Sequence, residues 1–375
     1  MHLTLHLTTA CNMACRYCYS PPKAGGRMSL QTVRQALAFG AELAGGSCGI
    51  VFFGGEPLLE RELIAQTMAE ARAMTAAGWG RFHFKITTNG LALDDEFLEF
   101  AQREGLLIAM SFDGLREAHD AHRRLPDGRG TFDLLLPRLR RLLEAKPYAN
   151  VIMVVNPDTV AHFAEGVEFL IELGVRYLVV ALNFAADWTD RHAEELRRQY
   201  LRLGRRYVRW TRQGLKFYLS PFEAKIASHI DLGCYDSQRC DLGSRQLSVD
   251  PEGWLFPCVQ FPRTGRASRW CVGHVGAGLD RAALAARNAE ARRRPDACNK
   301  CALAGRCLHT CACLNWQATG SVEQVSPMLC THEQILIPIA DRVAGILYRR
   351  NDPLFIQKHY NPAYPVLSLL EDAGQ

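Results

Sequence analysis

The chain has 375 residues, 48% of them hydrophobic, and a net charge of +5. That is enough for one large core and a smaller second one. It has no run of about 18 apolar residues and no basic, apolar start, which excludes a membrane span and an export signal, and its scattered positive charge gives no reason to expect a nucleic-acid partner. Fourteen cysteines without an export signal point to bound metal rather than disulfides, and to a reducing cytoplasm.

Short apolar segments at 3–7, 49–53, 82–87, 107–111, 151–155 and 177–181 read as strands. Amphipathic helices lie between them. One carries Leu30, Val33, Leu37 and Ala44 on a stripe, and another carries Ile64, Met68 and Ala71. Six such repeats imply parallel strands with right-handed crossovers, in an open doubly wound sheet or a partial barrel. In either form ligands gather at the C-terminal strand ends. Pro137 interrupts the stripe Phe132, Leu136, Leu139, Leu143, so that helix either starts near Leu134 or is kinked. Residues 183–212 read as a helical connector, whose arginines from 197 to 212 form a solvated face. Beyond Pro221 the texture turns to cysteines and glycines. Residues 246–249 and 254–256, joined by Asp250-Pro251-Glu252-Gly253, read as a hairpin. Residues 280–294 and 333–349 read as helices.

Cys11, Cys15 and Cys18 lie in the string CNMACRYC, directly after the first strand. Three thiolates on one loop can grip three corners of a four-iron cube and leave the fourth iron open. Phe53-Gly54-Gly55-Glu56-Pro57 ends the second strand; glycines there let a ligand approach the backbone, and Glu56 can accept from an ammonium group. Thr87-Thr88-Asn89-Gly90 and Ser111-Phe112-Asp113-Gly114 end the third and fourth strands. His119-Asp120-x-x-Arg123 follows, with Arg123 either in a surface ion pair or against a cofactor carboxylate.

CNMACRYCY resembles the signature of the radical S-adenosylmethionine enzymes. The resemblance implies that the open iron binds the methionine end of S-adenosylmethionine, and that reduction releases a 5′-deoxyadenosyl radical that takes hydrogen from a substrate. It places Tyr17 against the adenine and Gly54, Gly55 and Glu56 at the cofactor amine, with Asn89 and Ser111 lining the cleft and Ser111 at the ribose. It implies a flavodoxin- or ferredoxin-type reductant.

The last third of the chain contains Cys234, Cys240, Cys258, Cys298, Cys301, Cys307, Cys311 and Cys330. This array resembles the SPASM extension of peptide- and protein-modifying radical enzymes. By that resemblance Cys234, Cys240, Cys258 and Cys311 hold a first auxiliary cluster, and Cys298, Cys301, Cys307 and Cys330 a second, giving three 4Fe-4S clusters in all. The implied fold is a partial (β/α)6 TIM-like barrel followed by a small cysteine-rich α+β domain. The implied division is a barrel at 1–185, a helical connector at 186–230, the auxiliary-cluster domain at 231–335, and a C-terminal helix and tail at 336–375. Of the remaining cysteines, Cys48 reads as core, and Cys271 and Cys313 as structural residues, alternative ligands or hydrogen donors.

The layout is similar to the anaerobic sulfatase maturases, which carry an acidic residue after the cysteine corresponding to Cys258. Here Val259 stands in that place and cannot act as a base. The resemblance therefore implies a ribosomally made precursor peptide as substrate and an intramolecular C–C or C–S cross-link as product. Side-chain oxidation, peptide epimerisation and a non-enzymatic electron carrier are the rival readings. No general base is identified; Tyr235 and Asp241 are candidates. The motif begins at Cys11, so leader recognition is expected from a separate leader-peptide-binding protein or from the basic connector.

Overall fold

The computed structural model describes residues 1–20, 23, 25–231, 242–293 and 295–364. The six expected strands are present as β1 (His2–Thr8), β2 (Ser47–Gly54), β3 (Arg81–Thr88), β4 (Leu107–Ser111), β5 (Asn150–Val155) and β6 (Tyr177–Leu182). Each pairs in parallel with the next. The helices after them are α1 (Leu30–Ala44), α2 (Arg61–Ala76), α3 (Asp95–Arg103), α4 (Arg116–His122), α5 (Phe132–Ala145), α6 (Phe163–Glu172) and α7 (Asp190–Arg212).

β1 shows why this sheet must be covered on both faces. Leu3, Leu5 and Leu7 point one way and Thr4, His6 and Thr8 the other, and all six are buried. Local signals fix the helix ends. Ser29 accepts from the amide of Thr32 to start α1, and Gly45, at φ 61°, ends it.

The sheet extends past the six repeats at both edges. A short β7 (Tyr218–Leu219) joins β6 in parallel and leads into α8 (Ser220–Ile230). At the other edge β8 (Gln246–Val249) pairs in parallel with β1, and β9 (Leu255–Phe256) returns antiparallel. The expected hairpin therefore forms, but as part of the barrel's own sheet, because the second edge of β1 offers free backbone groups. The C-terminal region adds strands β10 (Gly273–His274) and β11 (Gly278–Leu279) and helices α9 (Arg281–Ala291), α10 (Asp296–Asn299), α11 (Ala312–Thr319), α12 (Pro327–Arg349) and α13 (Pro353–Tyr360). The boundary expected at 335 falls inside α12.

One expectation needs correction. α5 starts at Phe132, not Leu134, because Asp120 accepts from the amides of Thr131 and Phe132 and so begins the helix early. Pro137 then lies in the second turn and α5 continues through it to Ala145. The connector's arginines keep to the surface, and two of them are also ion-paired to α6. Arg202 and Arg206 of α7 both bond to Glu168 of α6, at 2.7 and 2.9 Å, while Leu196, Tyr200, Leu203, Tyr207 and Trp210 are buried. Among the described residues no helix is long and apolar enough to cross a membrane.

Candidate active site at the C-terminal strand ends

The loop after β1 carries Cys11, Cys15 and Cys18 and is pinned along its length. Its start is tied by Thr9 N–H to Gly26 O and its end by Met28 N–H to Leu7 O, both at 2.8 Å. Its middle is tied to the segment after α4, with Ala14 N–H donating to Arg124 O at 2.8 Å and Arg16 N–H to His122 O at 3.0 Å. The Met13 amide donates to Cys11 Sγ at 3.4 Å. The three sulfurs lie within electrostatic reach of one another. Burial pushes the Cys11 and Cys15 thiols above the usual range.

Gly54 and Gly55 serve a purpose the sequence did not disclose. A Cβ on Gly54 would meet Thr8 O at 2.4 Å, and one on Gly55 would meet Ala10 O at 2.1 Å. The close approach that requires glycine here is to the cysteine loop's own backbone. It is sealed by Gly55 N–H to Thr8 O at 2.8 Å and Glu56 N–H to Ala10 O at 2.9 Å.

The Glu56 carboxylate is buried and joins two strand ends. Oε1 accepts from the Leu58 amide at 3.0 Å and the Thr88 hydroxyl at 2.6 Å, and Oε2 accepts from the Asn89 amide at 2.8 Å. Burial raises its pKa in spite of these donors. A carboxylate offers about four acceptor sites, so about one remains on Oε2 for a further donor. Asn89 donates to Asn12 Oδ1 at 2.8 Å and stands 3.8 Å from Cys11 Sγ. Cys11, Glu56 and Asn89, expected from three separate motifs, thus meet in one place. Ser111 ends β4, half-buried.

Tyr17 and Arg123 belong to a buried network, so the surface ion pair expected for Arg123 is wrong. Arg123 is 4% exposed. Its Nη1 donates to the Tyr17 hydroxyl at 2.8 Å, which donates to Asp113 Oδ2 at 2.6 Å. Asp113 Oδ1 accepts from the Val154 amide at 2.9 Å. Burial holds the Asp113 carboxyl above its usual range even with Arg123 near. His119 completes the support. Its Nδ1 accepts from the Asp113 amide at 3.2 Å, and its Nε2 donates to Thr131 Oγ1 at 3.1 Å, since that hydroxyl already donates to Arg123 O. The sequence signal for this network was the spacing of His119, Asp120 and Arg123 after the Asp113-Gly114 turn.

The C-terminal cysteines fall into two groups. Cys330 is within electrostatic reach of Cys298 and Cys301, and Cys307 of Cys330. Burial pushes the Cys307 thiol up to about 12. Beside this group Lys225 and Glu333 form an ion pair at 2.6 Å with both side chains 2% exposed. In the other group Cys258 is buried, with Gln246 Nε2 at 3.6 Å from its sulfur. Cys313, read as a structural residue, an alternative ligand or a hydrogen donor, is 3.6 Å from Cys311 and hydrogen-bonded to Cys258, inside the group. Tyr19, which had been given no role, is buried within electrostatic reach of Cys18, Cys258 and Cys313. Cys234 and Cys240, with the candidate bases Tyr235 and Asp241, lie outside the described residues. Cys48 is core, as expected.

Among the described residues no three His, Cys, Asp or Glu side chains close on one ion position. A single ion needs its sulfurs about 2.3 Å away, whereas a cube takes one thiolate at each corner. Three thiols spread along one anchored loop, and three more grouped around Cys330, suit cubes as a donor set.

Residues 5–170 match the Radical SAM superfamily. The serine-type anaerobic sulfatase-maturating enzyme of Klebsiella aerogenes is 28% identical over 263 residues, 66% of this chain and 64% of that protein. The solved structure of anSMEcpe with bound AdoMet and the Cp18Cys peptide superposes with a TM-score of 0.79 at 19% identity, covering 93% of this chain and 99% of the other. Streptococcus suis SuiB bound to precursor peptide SuiA superposes at 0.61 and 15% identity, covering 88% and 75%.

Proposed function

We propose that this chain, whose residues 5–170 match the Radical SAM superfamily and whose fold superposes on that of a maturase, is a peptide maturase that forms an intramolecular C–C or C–S cross-link. The match implies an enzyme that uses a 4Fe-4S cluster and S-adenosylmethionine. One observation carries the proposal. The loop of Cys11, Cys15 and Cys18 is locked to Glu56 and Asn89 at the C-terminal ends of β1, β2 and β3, which is where α/β barrels bind their ligands.

In this reading Cys11, Cys15 and Cys18 hold the cluster that, with S-adenosylmethionine bound, supplies a 5′-deoxyadenosyl radical. Glu56 offers the remaining acceptor site of Oε2 to the cofactor's ammonium group. Gly54 and Gly55 shape the backbone around it, Ser111 faces the ribose, and Tyr17, held by Arg123 and Asp113, faces the adenine. Cys234, Cys240, Cys258 and Cys311 hold a first auxiliary cluster and Cys298, Cys301, Cys307 and Cys330 a second, for three 4Fe-4S clusters. Closed clusters of this kind carry electrons. A flavodoxin- or ferredoxin-type reductant supplies the first electron.

The Klebsiella relative favours a second reading, oxidation of a side chain on a protein substrate. Val259 after Cys258 counts against it, since it has no proton-accepting group. A reduced, anaerobic incubation with S-adenosylmethionine and candidate precursor peptides tests both. Formation of 5′-deoxyadenosine with a peptide lighter by two hydrogens and joined between two residues supports the cross-link. The same mass loss confined to one side chain supports oxidation, and unchanged mass with inverted stereochemistry supports epimerisation.

A further inference from the structure

A cavity of about 280 Å³ lies where the end of β6 meets the cysteine-bearing region. Val180, Leu182, Phe184, Leu308, Leu314 and Leu336 supply its apolar wall. Val180 and Leu182 are among the last three residues of β6, so the cavity lies at the C-terminal end of that strand, the end at which barrels gather ligands. Leu308 lies between Cys307 and Cys311, and Leu314 follows Cys313. The wall therefore includes sequence neighbours of cysteines from both C-terminal groups.

Most polar groups in the wall are already engaged, and among the described residues His332 Nδ1 is buried without a hydrogen-bond partner. Tyr200 and His332 bond to each other at 2.9 Å. Lys225 bonds to Glu333 at 2.6 Å and to Arg306 O at 3.0 Å. Tyr218 is hydrogen-bonded to Tyr177, and Ser220 Oγ accepts from the Val180 amide at 2.9 Å. The wall thus offers an incoming group apolar surface and no net charge. The space is open to solvent on one side, so an apolar group entering it leaves water for an apolar wall. Sites for drug-sized molecules start at about 300 Å³, so this one suits a single large side chain rather than a length of peptide.

We infer that this cavity is a specificity subsite that takes one large apolar side chain, leucine, phenylalanine or tryptophan, of the peptide substrate. The inference rests on the peptide-maturase reading. Buried in this way, the anchor residue holds the peptide between the mouth of the barrel and the C-terminal cysteines. The apolar fit selects against charged residues at that position, because a charge would be desolvated without a partner.

The probe is 5-fluoroindole, titrated into the anaerobically reconstituted full chain and followed by fluorine NMR. Saturable binding with a Kd on the order of 1 mM is expected for so small an apolar fragment. Ala224→Phe puts a ring into the space and is expected to weaken binding at least about tenfold with iron content retained. Leu314→Phe does the same from α11 and replaces it if Ala224→Phe fails to take up iron. Absence of saturable binding to the wild type, or equal binding to both iron-loaded variants, overturns the subsite. Formation of 5′-deoxyadenosine by the wild type is measured alongside. If cleavage is intact and indole binding absent, only the subsite falls; if cleavage is absent, the reading beneath it falls.

Discussion

Replacing Arg123 by methionine tests the buried network beneath the cysteine loop. The substitution keeps most of the side-chain volume and removes the charge, so Asp113 and Tyr17 lose their only cationic partner named in the network. Arg123 and Asp113 are joined through the Tyr17 hydroxyl rather than in direct contact, and leaving a buried charge without its cation costs about 3–5 kcal/mol. Unfolding entropy of about 2.1 cal/mol/K per residue over 375 residues amounts to roughly 0.8 kcal/mol/K. The expected drop in Tm is therefore about 4–6 °C, read by anaerobic thermal melting of the reconstituted protein. Asp113→Asn in the same chain should recover more than half of it. Burial already holds the Asp113 carboxyl above its usual range, so removing both charges leaves no buried ion to stabilise. A drop below about 1 °C for Arg123→Met, or a double variant as unstable as the summed singles, would refute the reasoning.

Four further outcomes follow from the geometry. Glu56→Gln turns one acceptor into a donor facing the Thr88 hydroxyl or the Asn89 amide, and should weaken S-adenosylmethionine binding at least about tenfold by equilibrium dialysis; an unchanged Kd would remove Glu56 from the cofactor site. Cys298→Ala with Cys301→Ala should lower iron from about twelve to about eight per chain; retention of twelve would show that these thiols hold no cluster. His6 is buried without a partner for Nε2 among the described residues, and burial lowers its pKa from 6.5 to about 4. The unfolded chain therefore takes up this proton first, so stability is full above 6.5 and falls as pH drops through that value toward 4. Between about pH 7 and pH 5 the loss is about 2 kcal/mol, and His6→Phe should remove it from the pH dependence of melting. Finally, Arg206 is bound to Glu168, so a test of the connector as a leader-binding face should reverse the exposed Arg197, Arg205 and Arg209 instead; unchanged precursor affinity would exclude that face.

The parts of this protein legible in the sequence are those set by local chemistry. Strand and helix positions follow from apolar spacing of two and of about 3.6 residues, and the cysteine loop, the Gly54-Gly55-Glu56 turn and the hairpin around Gly253 follow from residue types at short spacing. These signals act over a few residues, so no tertiary knowledge is needed to read them. What only the folded chain decided is pairing over long separations. The 246–249 strand joins β1 because that edge was free, a choice made by backbone groups that every residue carries. Arg123 is buried because Tyr17 and Asp113, 106 and 10 positions away, arrive at the same point. Cys313 stands with Cys258, 55 positions away. Burial is a property of the assembled surface, and a side chain's neighbours in space are not written in its neighbours along the chain.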